Sequence, residues 1–142
     1  MRINSLEELE AFVGDFLTKL QPRKGGAAII GLKGDLGAGK TAFTKVLAKQ
    51  LGVPGDVTSP TFVIEKIYKI EHKIFSHLIH IDAYRLESGK ELLHLGWERE
   101  LADEHNLIVI EWPERVLDIM PEETVYLGFT YIDENTRDIT YG

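Results

Sequence analysis

The sequence predicts an α/β protein of three layers, in which helices flank a mixed, largely parallel central sheet that includes an antiparallel hairpin. Three observations predict it. Ala27-Ala28-Ile29-Ile30-Gly31-Leu32 is a short apolar run that leads into a glycine-rich turn and then a segment of helical spacing. Two other strand-like runs stop at carboxylates: the one ending His80-Ile81 before Asp82, and Leu107-Ile108-Val109-Ile110 before Glu111. Finally, residues 62–70 and 74–81 are rich in β-branched and aromatic side chains and flank the polar pair Glu71-His72, which reads as a hairpin. A chain of 142 residues, 44% hydrophobic and 27% charged, fits one domain spanning 1–142 around one sizeable core.

Taken in order, Ser5 and Glu8 form an S-x-x-E capping box that starts a helix at Leu6. Leu6, Leu9, Val13, Phe16, Leu17 and Leu20 give it one apolar face, and Pro22 with Gly25-Gly26 ends it. After the first strand, Gly34-Asp35-Leu36-Gly37-Ala38-Gly39-Lys40-Thr41 follows the pattern G-x-x-x-x-G-K-[ST]. Glycines let the backbone close on phosphate groups, Lys40 reaches the β- and γ-phosphates, and the Thr41 hydroxyl ligates Mg²⁺. The helix from Thr41 to Leu51 points its positive end at the anion, and Gly52 closes it. The fold class is therefore P-loop NTPase-like. The expected nucleotide-binding residues are Asp35, Leu36, Gly37, Ala38, Gly39, Lys40, Thr41 and Ala42.

The loop from Pro54 to Thr61 carries Thr58, Ser59 and Thr61, and reads as a nucleotide-sensing, switch-like segment rather than a bare connection. If Ile70 pairs with Lys73, the hairpin register sets Thr61 opposite Asp82, Phe62 opposite Ile81 and Ile64 opposite Ile79. Glu-His is a poor two-residue turn, so the register is free to slip. Asp82 and Glu111 close buried-looking strands, where an unpaired carboxylate is expensive and a nearby Mg²⁺ would offset the cost. Ligands of open α/β sheets bind at the carboxyl ends of strands, so both acids should sit beside the phosphate loop. His77 and His80 fall on opposite strand faces and make a poor metal pair. His80 shares a face with Asp82 and either orients it or lies exposed. Arg85 serves an ion pair or phosphate charge, the former being the commoner use of a lone Arg.

Ser88 and Glu91 form a second capping box, ahead of one or two short helices broken at Gly96. Pro113 opens another helix, and residues 124–131 and 136–141 are strands joined at Asp133-Glu134-Asn135. A formal charge of −7, without a Lys/Arg cluster, argues against a broad nucleic-acid-binding face. The absence of cysteine excludes disulfides and thiolate metal sites. No stretch reads as a signal peptide or a membrane span, so a cytoplasmic protein is expected.

The loop Gly34–Thr41, then Thr58-Ser59-Pro60-Thr61-Phe62, then His80-Ile81-Asp82-Ala83-Tyr84-Arg85, then Glu111-Trp112-Pro113-Glu114 occur in an order that resembles the TsaE (YjeE/YdiB) family over essentially the whole chain. That resemblance implies a small P-loop ATPase. It would assist threonylcarbamoyl modification of adenosine 37 in tRNAs reading codons that begin with adenine. ATP and Mg²⁺ would be its ligands and a TsaD–TsaB pair its partner, with hydrolysis resetting TsaD between turnovers and tRNA met only through the complex. Carried over, Lys40 binds phosphate, and Thr41 and Asp82 hold Mg²⁺ directly or through water. Glu111 stands near the metal or the attacking water, and Trp112 beside the nucleotide. Glu111 either polarises that water or sits in the outer shell of the metal, and Trp112 is nearly as well read as a packing aromatic. With Lys40 and Asp82, Glu111 completes the expected catalytic set. Two rivals share the phosphate loop: a small-molecule kinase, for which an Arg-rich lid is missing, and a binding module of negligible turnover. A GTPase lacks its N/T-K-x-D tetrad here, which favours ATP.

Overall fold

The computed structural model describes residues 1–55 and 64–142. The switch-like residues Thr58, Ser59 and Thr61 lie outside the described residues. Seven described strands form one sheet in the order β1-β7-β6-β2-β5-β4-β3. They are β1 (Arg2–Ile3), β2 (Ala28–Lys33), β3 (Glu65–Lys69), β4 (His77–Asp82), β5 (Asn106–Glu111), β6 (Val125–Asp133) and β7 (Thr136–Tyr141). The four central strands β6, β2, β5 and β4 run parallel, and antiparallel pairs close both edges. Helices α1 (Leu6–Lys19), α2 (Lys40–Gln50), α3 (Lys90–His94) and α4 (Trp97–Ala102) join a 3₁₀ segment, Pro113–Ile119.

Alternation along the central strands builds two cores. Ala28, Ile30 and Leu32 of β2, Leu107 and Val109 of β5, and Leu78 of β4 face α1 and α2. Their neighbours Ile29, Ile108, Ile110, Ile79 and Ile81 face Leu92 of α3, Trp97 of α4 and Val116 of the 3₁₀ segment. Strands buried on both faces read as continuous apolar runs, which is why these were visible in the sequence. The helices sit where their caps start them. The Ser5 hydroxyl accepts from the Glu8 amide at 3.1 Å, and Gly96 at φ +96° separates α3 from α4. Three details differ from the sequence reading. Leu6 is exposed in the first turn of α1 while Phe12 takes a core position. Gly89, without a side-chain cap, precedes α3 in place of the expected Ser88 box. Strand β1, too short to leave a periodic signal, pairs with β7.

The hairpin register is displaced by three residues. Glu65 lies opposite Ile81 and Ile67 opposite Ile79, and the Asp82 amide donates to Ile64 O at 2.9 Å. The turn is longer than Glu71-His72. Ile70 N donates to Ser76 O at 3.0 Å, and His72 Nδ1 accepts from the amides of Ile74 and Phe75 at 3.1 and 3.4 Å. Burial of the Phe75 ring takes residues 74–76 out of the strand, so the ladder begins later and every partner moves.

Candidate functional site

Strand β2 ends at Lys33, and the chain turns through Gly34 to Gly39 into α2. Gly34 has φ +145°, and a Cβ there would lie 2.5 Å from the Phe129 carbonyl oxygen, so the loop can follow this path only with glycine. Gly39, at φ +112°, precedes α2 without offering a side-chain cap. The first-turn amides of α2 therefore have no side-chain acceptor from that cap, the usual starting point of an anion cradle.

Lys40 begins α2 and is only 4% exposed. Its ammonium donates to Gly34 O and stands 3.5 Å from the centre of the Trp112 ring. Burial pushes the Lys40 pKa down, opposed by the negative charges of Glu111, Glu114, Asp82 and Asp35. Lys40, Asp82 and Glu111 thus share one electrostatic neighbourhood. Register is the reason: Asp82 pairs with Glu111 across β4 and β5, and Glu111 with Leu32 across β5 and β2, two residues before the loop begins. Thr41 follows on the first turn of α2.

The two acids are held differently. Asp82 is half-buried, and its Oδ1 accepts from the Tyr84 amide at 3.0 Å. Glu111 is 3% exposed, and its Oε2 lies 2.7 Å from Nε2 of His80, which is fully buried. So His80 is neither exposed nor bonded to Asp82 in any hydrogen bond resolved here. It reaches instead across to the neighbouring strand, and Glu111 has a protein partner that its burial demands. The spacing His80-x-Asp82 suggested a partner on the same strand. Only the pairing of β4 with β5 brings Glu111 to the same face one step along.

Trp112 adopts φ 62°, the left-handed region, alone among described non-glycine residues. Its amide donates to Leu32 O at 3.2 Å, and its ring lies 4.9 Å from that of Tyr84. The ring thus packs on Tyr84 and lies under the Lys40 ammonium. Arg85 is exposed and forms no ion pair among the described residues. Sequence reasoning missed the packing of Tyr84 on Trp112 and two neighbours of the loop, Phe129 and Arg137. Arg137 has its Cγ 3.4 Å from a Cβ placed on Gly39, and nothing in its local sequence marks it. A cavity of about 210 Å³ opens beside the start of α2, with Gly39 and Ala42 on one wall and Leu6, Phe129, Asn135 and Arg137 among the others. Among the described residues no three His, Asp or Glu side chains converge as a metal cage.

With this geometry in view, three comparisons are informative. The family model described as "Threonylcarbamoyl adenosine biosynthesis protein TsaE" matches residues 3–139. Proteins named "tRNA threonylcarbamoyladenosine biosynthesis protein TsaE" are similar along most of their length. The one from Rickettsia bellii is 35% identical over 136 residues, 95% of this chain and 88% of its own. That of Streptomyces coelicolor is 41% identical over 114 residues, 78% of this chain and 73% of its own. The crystal structure of YdiB from Bacillus subtilis superimposes with a TM-score of 0.73 at 28% identity, covering 99% of this chain and 82% of that one.

Proposed function

The chain belongs to the TsaE family of threonylcarbamoyl adenosine biosynthesis proteins, and from that premise we propose that it binds and hydrolyses ATP with Mg²⁺ to reset a TsaD–TsaB pair during modification of adenosine 37 in tRNA. One observation carries the reading. A glycine-wrapped loop with a buried lysine stands in register with two strand-end carboxylates that act on that lysine's charge.

The residues suit the ligands. Glycines at positive φ leave the amides of the loop open toward an anion, and the Thr41 hydroxyl with the Asp82 and Glu111 carboxylates is a set of hard oxygen donors. Mg²⁺ sites of this kind need only one or two carboxylates beside substrate phosphates. Thr41 and Asp82 would hold the ion, with Glu111 in its outer shell or facing the attacking water. The ion, when bound, would neutralise charge on the β- and γ-phosphate oxygens. Lys40 leaves Gly34 O to engage the same oxygens, and its burial strengthens that contact by excluding water. Glu111 would orient a water, a role supported by its place at the tip of β5 within the field of Lys40. The apolar wall of Leu6 and Phe129 with the amide of Asn135 offers room for the nucleoside beside the α2 turn.

The test is phosphate release from Mg-ATP by the chain alone and with TsaD–TsaB, beside tRNA modification in the reconstituted system. Slow release alone, accelerated by the pair, is expected. Lys40→Ala should weaken ATP binding at least ~10-fold and abolish modification. Phosphate transfer to a small acceptor, or full modification by Lys40→Ala, would overturn the reading.

A further inference from the structure

We propose that His80 is a positioning residue for Glu111: it fixes the carboxylate so that Oε1, not Oε2, is presented to the reacting end of the site. The inference rests on the reading of Glu111 given above and adds a residue which that reading did not use.

Three observations carry it. The His80 ring is fully buried, and its Nε2 lies 2.7 Å from Oε2 of a Glu111 that is itself 3% exposed. Its other nitrogen, Nδ1, is buried with no hydrogen-bond partner among the described residues. The two side chains lie one pleat apart on the α2 side of the sheet, His80 paired in register with Val109 and Asp82 with Glu111. Two tautomers are available to a neutral imidazole. With Glu111 ionised, Oε2 can only accept, so Nε2 carries the proton and Nδ1 is left as a bare acceptor. A doubly protonated ring would leave a buried N–H without an acceptor, which costs more than an idle lone pair. The neutral Nε2–H tautomer therefore satisfies every donor in the pair.

This arrangement does more than fill the core. A carboxylate at the end of β5 has two rotatable bonds beyond Cβ, and without a donor on Oε2 it would be free to turn either oxygen toward Lys40. The bond from His80 removes that freedom on the inner side, as an imidazole or carboxylate beneath a reacting group commonly does. A purely apolar residue at position 80 would pack but would leave Oε2 buried without a donor.

Two measurements test this. In the nucleotide-free protein, two-bond ¹H–¹⁵N spectra of the His80 ring should show the Nε2–H tautomer. Its Nε2 proton should exchange slowly, then move upfield and exchange faster in Glu111→Gln. A predominant Nδ1–H tautomer would overturn the proposal, since Glu111 would then have to be the donor. The second is ATP hydrolysis by the full chain with TsaD–TsaB. His80→Phe should lower kcat about 100-fold while the KM for ATP stays within about 2-fold. His80→Gln, which sets an amide N–H near the Nε2 position, should recover to within about 5-fold of wild type. His80→Asn, whose amide falls short of Oε2, should not. In a Glu111→Gln background, His80→Phe should add less than about 2-fold.

Should His80→Phe fail to fold, the contrast between Gln and Asn decides alone, and equal rates in those two would sink the idea. Unchanged kcat in His80→Phe with kcat lost in Glu111→Gln would dismiss His80 and leave the functional reading standing. Unchanged kcat in Glu111→Gln, or no hydrolysis by wild type under any condition, would remove both.

Discussion

Lys40, Trp112 and Asp82 show how individual side chains carry conflicting demands at the loop. Burial pushes the Lys40 pKa down, while Gly34 O, the Trp112 face and four nearby carboxylates favour its ammonium form. Trp112 holds a left-handed backbone that costs a non-glycine residue ~1–3 kcal/mol, sustained by its amide bond to Leu32 O and by ring contacts with Tyr84 and the Lys40 ammonium. Asp82 is half-buried, and its Oδ1 accepts from the Tyr84 amide. Asp82→Ala should therefore cost no more than about 1 kcal/mol in urea unfolding. In the same variant the Mg²⁺ concentration giving half-maximal ATP hydrolysis should rise at least ~10-fold, and an unchanged Mg²⁺ dependence would separate Asp82 from the metal. The glycine-rich loop, Lys40 and the two strand-end carboxylates were legible in the sequence because glycine spacing and apolar runs that end at an acid are local features. The His80–Glu111 bond was not, because a hydrogen bond between strands depends on their register.

At the level of elements, a carboxyl group of β3 acts on one of α4. Burial, then the hydrogen bond and charge of Glu65, raises the Glu100 pKa from 4.5 to about 8. Between those values the folded chain holds a proton that the unfolded chain has released, so stability falls as pH rises through this window. The contribution is complete below about 4.5 and lost above about 8. Glu100→Gln keeps a neutral side chain at every pH. It should match wild type near pH 4.5 and be more stable at pH 8.5 by on the order of 1–2 kcal/mol, after discounting for solvent screening of a half-exposed group. Thermal melts at the two pH values check this, and a variant less stable at pH 8.5 would count against the acid pair. The same hairpin is where sequence reading went astray. Strand identity followed from composition, but the turn was set by the Phe75 ring entering the core and by the His72 imidazole accepting two amides.

Across the whole molecule, Phe43 ties the loop to the core. It is fully buried on α2, with its ring 6.5 Å from Phe12 and 6.0 Å from Phe16 of α1, and 5.6 Å from Phe129 of β6. Phe43→Ala should cost about 3–5 kcal/mol in urea unfolding, since three elements converge on the space it vacates and cannot all close in. A loss below ~1.5 kcal/mol would mean that the helices repack freely. Because α2 carries Lys40 and Thr41 at its start, the same core burial that stabilises the fold fixes the direction of the loop.

The sequence by itself determined the α/β class, the glycine-rich turn from strand to helix and the two acidic strand ends, since glycine spacing, apolar runs and terminal carboxylates are local facts of the chain. It also contained Phe12, Tyr84 and Arg137, without any sign of what they would touch, and it pointed His80 toward Asp82 rather than Glu111. Tertiary structure decided the strand order, the three-residue displacement of the hairpin and the bond from His80 to Glu111. Those depend on which strands lie side by side and on how large rings fill the space between layers, a choice made by packing among distant parts of the chain.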